Sequence, residues 1–490
     1  MEERYLVSID QSTQGTKALL FDKKGTLMCR ADEAHEQIIN EKGWVSHNPD
    51  EIYENVIKVI KKVLIKANVS PEQIIALGIS NQRETSVIWD RATGHPLNNA
   101  IVWQCARAKD ICERPQIKEK EDYIFKTTGL KLSPYFPAAK IAWLLENTEN
   151  LEKAKENVCH GTVDSYLIYR LTGCKKYATD YSNASRTQLY DIFNFRWDET
   201  ICELFGINAK NMPEVQDSNS CFGYTDLEGF FSKPIPIYGV MGDSHAALYG
   251  QNCRENGQTK ATYGTGSSIM MNIGDKKVLS KNGLVTSLAW GIDGKVQYVL
   301  EGNLNYTGAV ISWLKNDMEM IQSPADTQEL ANKACKNDSL YIVPAFTGLG
   351  APYWNPDAKA AIVGMDRKTK RAEIVRASLE CIAYQITDIL KSMSEDSGIK
   401  LSELRVDGGP TRNEYLMQFQ SDIAKCRVMV PAQEELSGIG VAYMAGLSAC
   451  LWDESIFEKM KRKVYSPAMD DTTAKDKYEG WLKAVGSVNQ

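Results

Sequence analysis

Histidine is scarce: there are five in 490 residues, and none is placed with the twelve cysteines at the spacing of a metal site. That argues against a zinc centre built from these residue types. No two cysteines form a C-x-x-C pair, so reduced thiols packed mostly as small apolar residues are expected, as in a cytoplasm. Basic residues are not in excess: the net charge is −6 and the isoelectric point about 5.7. Such a balance gives no support for a nucleic-acid or anionic-membrane partner, and any phosphate site must be a local arrangement. No apolar run reaches the roughly 18–20 residues that cross a bilayer. Met1-Glu2-Glu3-Arg4 leads straight into a strand-like segment without an apolar signal core, and a cytoplasmic location is expected. Low-complexity stretches and long linkers are absent too. What remains is the composition of a soluble globular protein, 43% hydrophobic and 24% charged, in a chain too long for one ordinary core.

Strand-like and helix-like segments alternate, the pattern of an α/β fold. Asn48-Pro49 opens a helix with a cap and a first-turn proline, followed by an apolar face at Ile52, Val56, Ile60 and Val63. Ile74 to Ile79 reads as a buried strand. After Arg371, a helix is expected from Val375, Leu379, Ile382, Ile386 and Ile389, and Leu404-Arg405-Val406 as a strand ending in Asp407-Gly408-Gly409. Glycines there let a backbone approach a ligand closely.

Two segments look like copies of one device. Tyr5–Ile9 leads through Asp10-Gln11-Ser12-Thr13-Gln14-Gly15-Thr16-Lys17 into Ala18–Lys24, and Lys260–Tyr263 leads through Gly264-Thr265-Gly266-Ser267-Ser268 into Ile269–Lys277. Both read as strand, tight turn, strand. A turn of this kind aims N–H groups and hydroxyls at one point, which suits phosphate oxygens, although a plain hairpin has the same outline. The repeat suggests a duplicated chain that grips a polyphosphate. The expected division is into residues 1–249, with the first hairpin and an acceptor site, and residues 250–490, with the second hairpin and an adenosine site.

These hairpins and the Asp-Gly-Gly turn resemble the FGGY carbohydrate kinases. Tyr135-Phe136-Pro137-Ala138-Ala139-Lys140-Ile141-Ala142-Trp143-Leu144-Leu145-Glu146-Asn147 fits that family's first signature, and Ala360–Met365 with Glu373-Ile374 and Ala377–Glu380 fits the second. The resemblance runs from Ile9 to about Leu447. Asn81–Thr85, Ile101–Cys105, Asp180–Thr187 and Pro344–Trp354 are most similar to the glycerol kinase branch. The implied fold is two-lobed α/β of the actin/hexokinase (ribonuclease H-like) type, duplicated, with a cleft between the lobes.

The resemblance also implies roles. Asp243, in Gly242-Asp243-Ser244-His245, matches the catalytic base that takes the proton of the attacking hydroxyl. On the residues alone it reads more readily as a helix cap before Ala246-Ala247-Leu248, and it could do both. Asp10 matches the residue associated with the Mg²⁺ that bridges ATP phosphates. Thr13, Gln14 and Lys17, with Gly264 and Thr265, match phosphate-holding positions; Lys17 replaces an arginine and so lacks its two-pronged fork. Gly308, Ser312, Gly409 and Asn413 match positions that line the nucleotide, Ser312 in place of a glutamine. Arg83, Glu84, Trp103, Tyr135 and Asp243 match the acceptor pocket.

Two acceptor positions depart from that branch. Ser244 stands where it has a glutamine, and Ser268 where it has a phenylalanine. Both changes shorten the side chain, and a missing pocket contact costs roughly 1–3 kcal/mol. The expectation is therefore an ATP-dependent kinase for a four- or five-carbon polyol or ketose, phosphorylated at a terminal hydroxyl. The alternative is a glycerol kinase with waters in a looser pocket. Two regulatory marks of bacterial members are also missing: a glycine-rich arginine loop appears as Leu227–Lys233, and a phosphorylated histidine falls at Phe193. An actin- or chaperone-like ATPase and a non-catalytic sugar sensor are rival classes. The acceptor set argues against the first, and Asp10 with Asp243 against the second. The resemblance allows a homodimer, but no residue marks an interface.

Overall fold

Apolar residues on both sides of Ser12–Gln14 fold the start of the chain back on itself. In the computed structural model, which describes residues 3–149, 151, 157–335 and 339–489, Tyr5–Gln11 and Gly15–Phe21 pair antiparallel, with Asp10 opposite Lys17. Met1 and Glu2 lie outside the described residues. Leu27–Ala34 adds antiparallel to the outer strand of the hairpin. Ile74–Asn81 adds parallel to its inner strand, and Ile235–Gly242 parallel beyond that. The inner strands are apolar almost without alternation because both faces of the sheet are covered. Pro49–Ala67 packs against the hairpin and Leu27–Ala34, with Ile52, Val56, Ile60 and Val63 buried; the Asn48 side chain accepts the Asp50 N–H as its cap.

Contacts group the chain into two compact units. The first holds Met1–Asn252, Thr286–Tyr298 and Glu435–Lys459; the second holds Cys253–Val285, Val299–Glu434 and Met460–Gln490. The boundary expected near Gly250 lies beside the first crossover, and the grouping adds two later returns. One return is Leu436–Ser448, a helix buried nearly all round, which packs on Asp243–Gly250 and on the central strands of the first unit. Chain order hides this return, because an all-apolar helix can be covered wherever a second apolar surface exists.

The second unit repeats the plan of the first. Thr259–Tyr263 pairs antiparallel with Ser267–Gly274 and parallel with Glu403–Asp407, and Arg427–Pro431 adds parallel beyond. Arg462–Tyr465 closes that edge antiparallel. The helix Arg371–Ser397 buries Val375, Leu379, Ile382, Ile386 and Ile389, the face expected from their spacing. Two sheets with the same order of hairpin and parallel strands are the structural form of the duplication read from the two turns. All twelve cysteines are free thiols and most are buried. Among the described residues no helix is long and apolar enough to cross a membrane.

Candidate active site

The strand Ile74–Asn81 ends in Gln82-Arg83-Glu84-Thr85, where the chain leaves the sheet. Glu84 has φ 60°, a left-handed conformation that a side chain adopts at a cost of about 1–3 kcal/mol. Packing holds it there. Arg186 Nε lies 2.5 Å from Glu84 Oε1, with both side chains buried. Lys140 Nζ donates to the Glu84 carbonyl at 3.2 Å. The next residue of the set, Trp103, has its N–H on Thr85 Oγ1 at 3.2 Å. Its ring meets that of Tyr135 edge to face, with centroids 5.7 Å apart. The Trp103 indole N–H donates to Thr13 Oγ1 at 2.9 Å, which joins the aromatic wall to the first hairpin.

Asp243 begins the helix Asp243–Gly250, and the N-cap position falls on Gly242. The cap alternative is thus displaced by one residue, although Asp243 Oδ1 still accepts the Ser244 N–H at 2.6 Å. Arg83 Nε is 3.3 Å from the same oxygen, and the Asp243 side chain is 36% exposed while that of Arg83 is 6% exposed. The turn is held from behind: Gly242 N–H donates to Ser182 Oγ at 2.9 Å, and Ser182 Oγ donates to Asp180 Oδ1 at 2.9 Å. Asn81 and Asn183 exchange amide hydrogen bonds beside it. The first unit therefore brings Arg83, Glu84, Trp103, Tyr135, Asp243 and Ser244 into one connected group. Charged heads for hydroxyls stand beside aromatic faces for carbon, a combination that suits a small polyhydroxylated molecule.

Asp10 sits on the inner hairpin strand, buried, with Ser80 Oγ donating to its Oδ1 at 3.2 Å. Burial pushes its carboxyl up to about 6; Lys17 opposes that shift, and Asp243 and Glu435 add to it. A buried carboxylate facing two other acids is a fitting place for a hard cation. No group of three or more acidic, histidine or cysteine side chains that could by itself hold a metal ion occurs among the described residues. A cation here would take its remaining ligands from phosphates and water, as Mg²⁺ does. Thr13 and Gln14 occupy the hairpin turn, and the Gln14 carbonyl accepts the His35 N–H at 3.4 Å. Lys17, expected on phosphate, has its Nζ on Glu435 Oε2 at 2.8 Å, and Arg30 meets the other oxygen of the same carboxylate.

In the second unit the Gly264-Thr265-Gly266 turn is bound to a helix start. Gly308 N–H donates to the Gly264 carbonyl at 2.9 Å and Ala309 N–H to the Thr265 carbonyl at 3.0 Å, at the first turn of Gly308–Asn316. Any side chain at Gly266 would strike the Leu304 carbonyl, 2.3 Å from the position of a Cβ. Beside this turn lies a cavity of about 890 Å³ lined by Gly308, Ser312, Gly409 and Asn413, with Ile311 and Ile382 on its apolar side. A Cβ at Gly409 would meet nothing within 4 Å, so the backbone is bare to the cavity. Its size and mixed lining fit a nucleoside. Asn413 also caps Glu414–Ala424, accepting the Leu416 N–H at 3.0 Å. Ser268, on the strand leaving the turn, donates to Glu301 at 3.4 Å.

The residues read from the sequence thus fall into an acceptor-type group and the first hairpin in one unit, and the second hairpin with a cavity in the other. Lys140, Arg186, Ser182, Asp180 and Glu435 carry this geometry and were not singled out. The first four lay inside the matching motifs, which was the available signal; nothing near Glu435 marked it.

Comparison with known proteins gives the class. The N-terminal domain of the FGGY family of carbohydrate kinases matches residues 5–250, and the C-terminal domain of that family matches residues 259–449. The chain belongs to the FGGY family of carbohydrate kinases. It is therefore a phosphotransferase with an alcohol acceptor, on the two-domain α/β fold that the family shares with actin- and hexokinase-like proteins. A glycerol kinase of Carboxydothermus hydrogenoformans is 46% identical over 99% of this chain and 98% of its own. The glycerol kinase of Plasmodium falciparum, crystallised with ADP, is 37% identical with a TM-score of 0.93, covering 99% of this chain and 98% of that one. A xylulose kinase of Lactobacillus acidophilus shares the fold at 20% identity and a TM-score of 0.87, covering 99% and 98%.

Proposed function

We propose that the protein transfers the γ-phosphoryl group of ATP to a terminal hydroxyl of glycerol. The observation that carries this reading is full-length likeness to glycerol kinases, 46% identical in one case, together with the presence of Arg83, Glu84, Trp103, Tyr135 and Asp243 in motifs that resemble that branch. It replaces the four- or five-carbon polyol or ketose expected from Ser244 and Ser268. Shortened side chains alone do not call for a larger substrate, since ordered water fills such space at little cost. The likeness to a pentulose kinase extends to the fold alone.

Phosphoryl transfer asks for alignment and charge neutralisation more than covalent chemistry. Arg83 and Glu84 hold hydroxyls, and the rings of Trp103 and Tyr135 pack on the carbon chain. Asp243 accepts the proton that the attacking hydroxyl loses. Thr13, Gln14 and Lys17 on the first hairpin offer donors for phosphate oxygens, as do Gly264 and Thr265 on the second. For Lys17 this means exchanging Glu435 for a phosphate. Gly308, Ser312, Gly409 and Asn413 line the adenosine cavity. Asp10 is the residue to hold Mg²⁺, which neutralises charge on the phosphates when bound.

The test is ADP release with ATP alone and then with glycerol, erythritol, ribitol, xylitol, ribulose and xylulose. Glycerol is expected to give the highest kcat/KM. A four- or five-carbon acceptor that outperforms it would restore the earlier expectation. No stimulation by any alcohol would remove the kinase reading.

A further inference from the structure

Lys140 lies in the first turn of the helix Pro137–Asn147 and is 0% exposed. A lysine is almost never buried to this degree without partners for its ammonium. Three partners are present. Nζ donates to the carbonyl of Trp103 at 3.0 Å, to that of Glu84 at 3.2 Å, and to that of Tyr135. An ammonium has three hydrogens, one for each carbonyl.

These carbonyls come from three stretches distant in sequence, and each belongs to a member of the acceptor group. We infer that Lys140 is the positioning residue of the acceptor site, a single ammonium that fixes Glu84, Trp103 and Tyr135 relative to one another. This rests on the acceptor reading given above. Lys140 is enclosed and does not touch the acceptor; it acts through the three backbones. Glu84 gains most, because its left-handed backbone needs a holding contact.

The charge of this group is finely balanced. Burial lowers Lys140 to about 7, and Glu84, Cys105 and Cys112 facing it oppose the shift. The Tyr135 ring also lies over Nζ, at 5.7 Å to its centroid, and Arg186 is engaged with Glu84. Once deprotonated, the amine has two hydrogens for three carbonyls, so one segment loses its tie. Glycerol itself does not titrate near neutrality, so a change in its KM there does not come from the acceptor, and its loss in a Lys140 variant assigns it to this residue.

The experiment uses the full chain and compares wild type with Lys140→Met and Lys140→Gln. It measures KM and kcat for glycerol, or for whichever alcohol of the panel is best, from about pH 6.5 to pH 8.5, and the Kd of ATP. Wild type is expected to show an acceptor KM that rises as pH passes about 7. Lys140→Met should raise the acceptor KM about tenfold, abolish its pH dependence and leave the ATP Kd within about twofold. Lys140→Gln, which keeps two donor hydrogens, should fall between them. Should neither variant fold, a wild-type acceptor KM flat over the same range overturns the inference. So does a folded Lys140→Met with wild-type acceptor KM, or one that keeps the wild-type pH profile. Stimulation by some alcohol with those results removes the positioning role alone; no stimulation by any alcohol removes the function.

Discussion

Replacing Asp243 with asparagine separates the proposed proton-accepting role from everything else the side chain does. The amide oxygen can still accept the Ser244 N–H, now at 2.6 Å, and a hydrogen bond from Arg83 Nε, now at 3.3 Å. Volume is unchanged, and Gly242 remains tied to Ser182. What disappears is the negative charge and the ability to take a proton. With the carboxylate 36% exposed, loss of the ionic part of the Arg83 contact should cost at most about 1 kcal/mol of stability. General-base assistance is worth about 10²–10⁴ in rate, or about 2.7–5.4 kcal/mol of barrier. Steady-state ADP release with saturating glycerol should therefore show kcat reduced by a factor in that range. The ATP Kd from calorimetry should stay within about twofold, and Tm should fall by about 2–4 °C at most. A kcat within tenfold of wild type, in a folded variant with normal ATP affinity, would refute the base assignment.

Other perturbations have equally definite outcomes. Because Asp10 titrates at about 6 in the fold, kcat/KM for Mg-ATP should fall with a one-proton slope below about pH 6; a flat profile to pH 5 refutes it. The sign for stability is the reverse. The folded state holds an extra proton between about pH 4 and pH 6, so Asp10 contributes stability that is lost as pH rises through that window. Added Mg²⁺ should restore stability above pH 6, measured as a rise in Tm absent from Asp10→Asn. Trp103→Phe removes the indole bond to Thr13 while keeping an aromatic face, and should raise the acceptor KM about 3–10-fold. An unchanged KM would show that the bond is idle. Gly408→Ala places a Cβ 2.0 Å from the Tyr263 carbonyl at φ 97°, costing at least about 1–3 kcal/mol. Calorimetry should find a lower Tm and a weaker ATP Kd, and wild-type values for both would contradict the geometry.

Much of this protein was legible because its signals are local. A hairpin turn, the Asn48 cap, the face of Arg371–Ser397 and the Asp-Gly-Gly turn each depend on residues a few positions apart, so spacing reveals them. The motifs that carry Arg83, Glu84, Trp103, Tyr135 and Asp243 were equally open to reading, as was the duplication behind two sheets of one plan. The substrate was the least legible part: Ser244 and Ser268 pointed to a larger acceptor, while full-length likeness to glycerol kinases favours glycerol.

The sequence by itself thus determined the family and the class of reaction, and it named the candidate site residues. Tertiary structure decided how they are held. It placed the Lys17 ammonium on Glu435, returned Leu436–Ser448 to the first unit and gave one buried lysine three carbonyls from three segments. Those contacts form between residues far apart along the chain, through packing of whole elements, and separation in sequence carries no trace of such meetings. Spacing can show that Lys140 belongs to a motif; only the folded chain shows what its ammonium reaches.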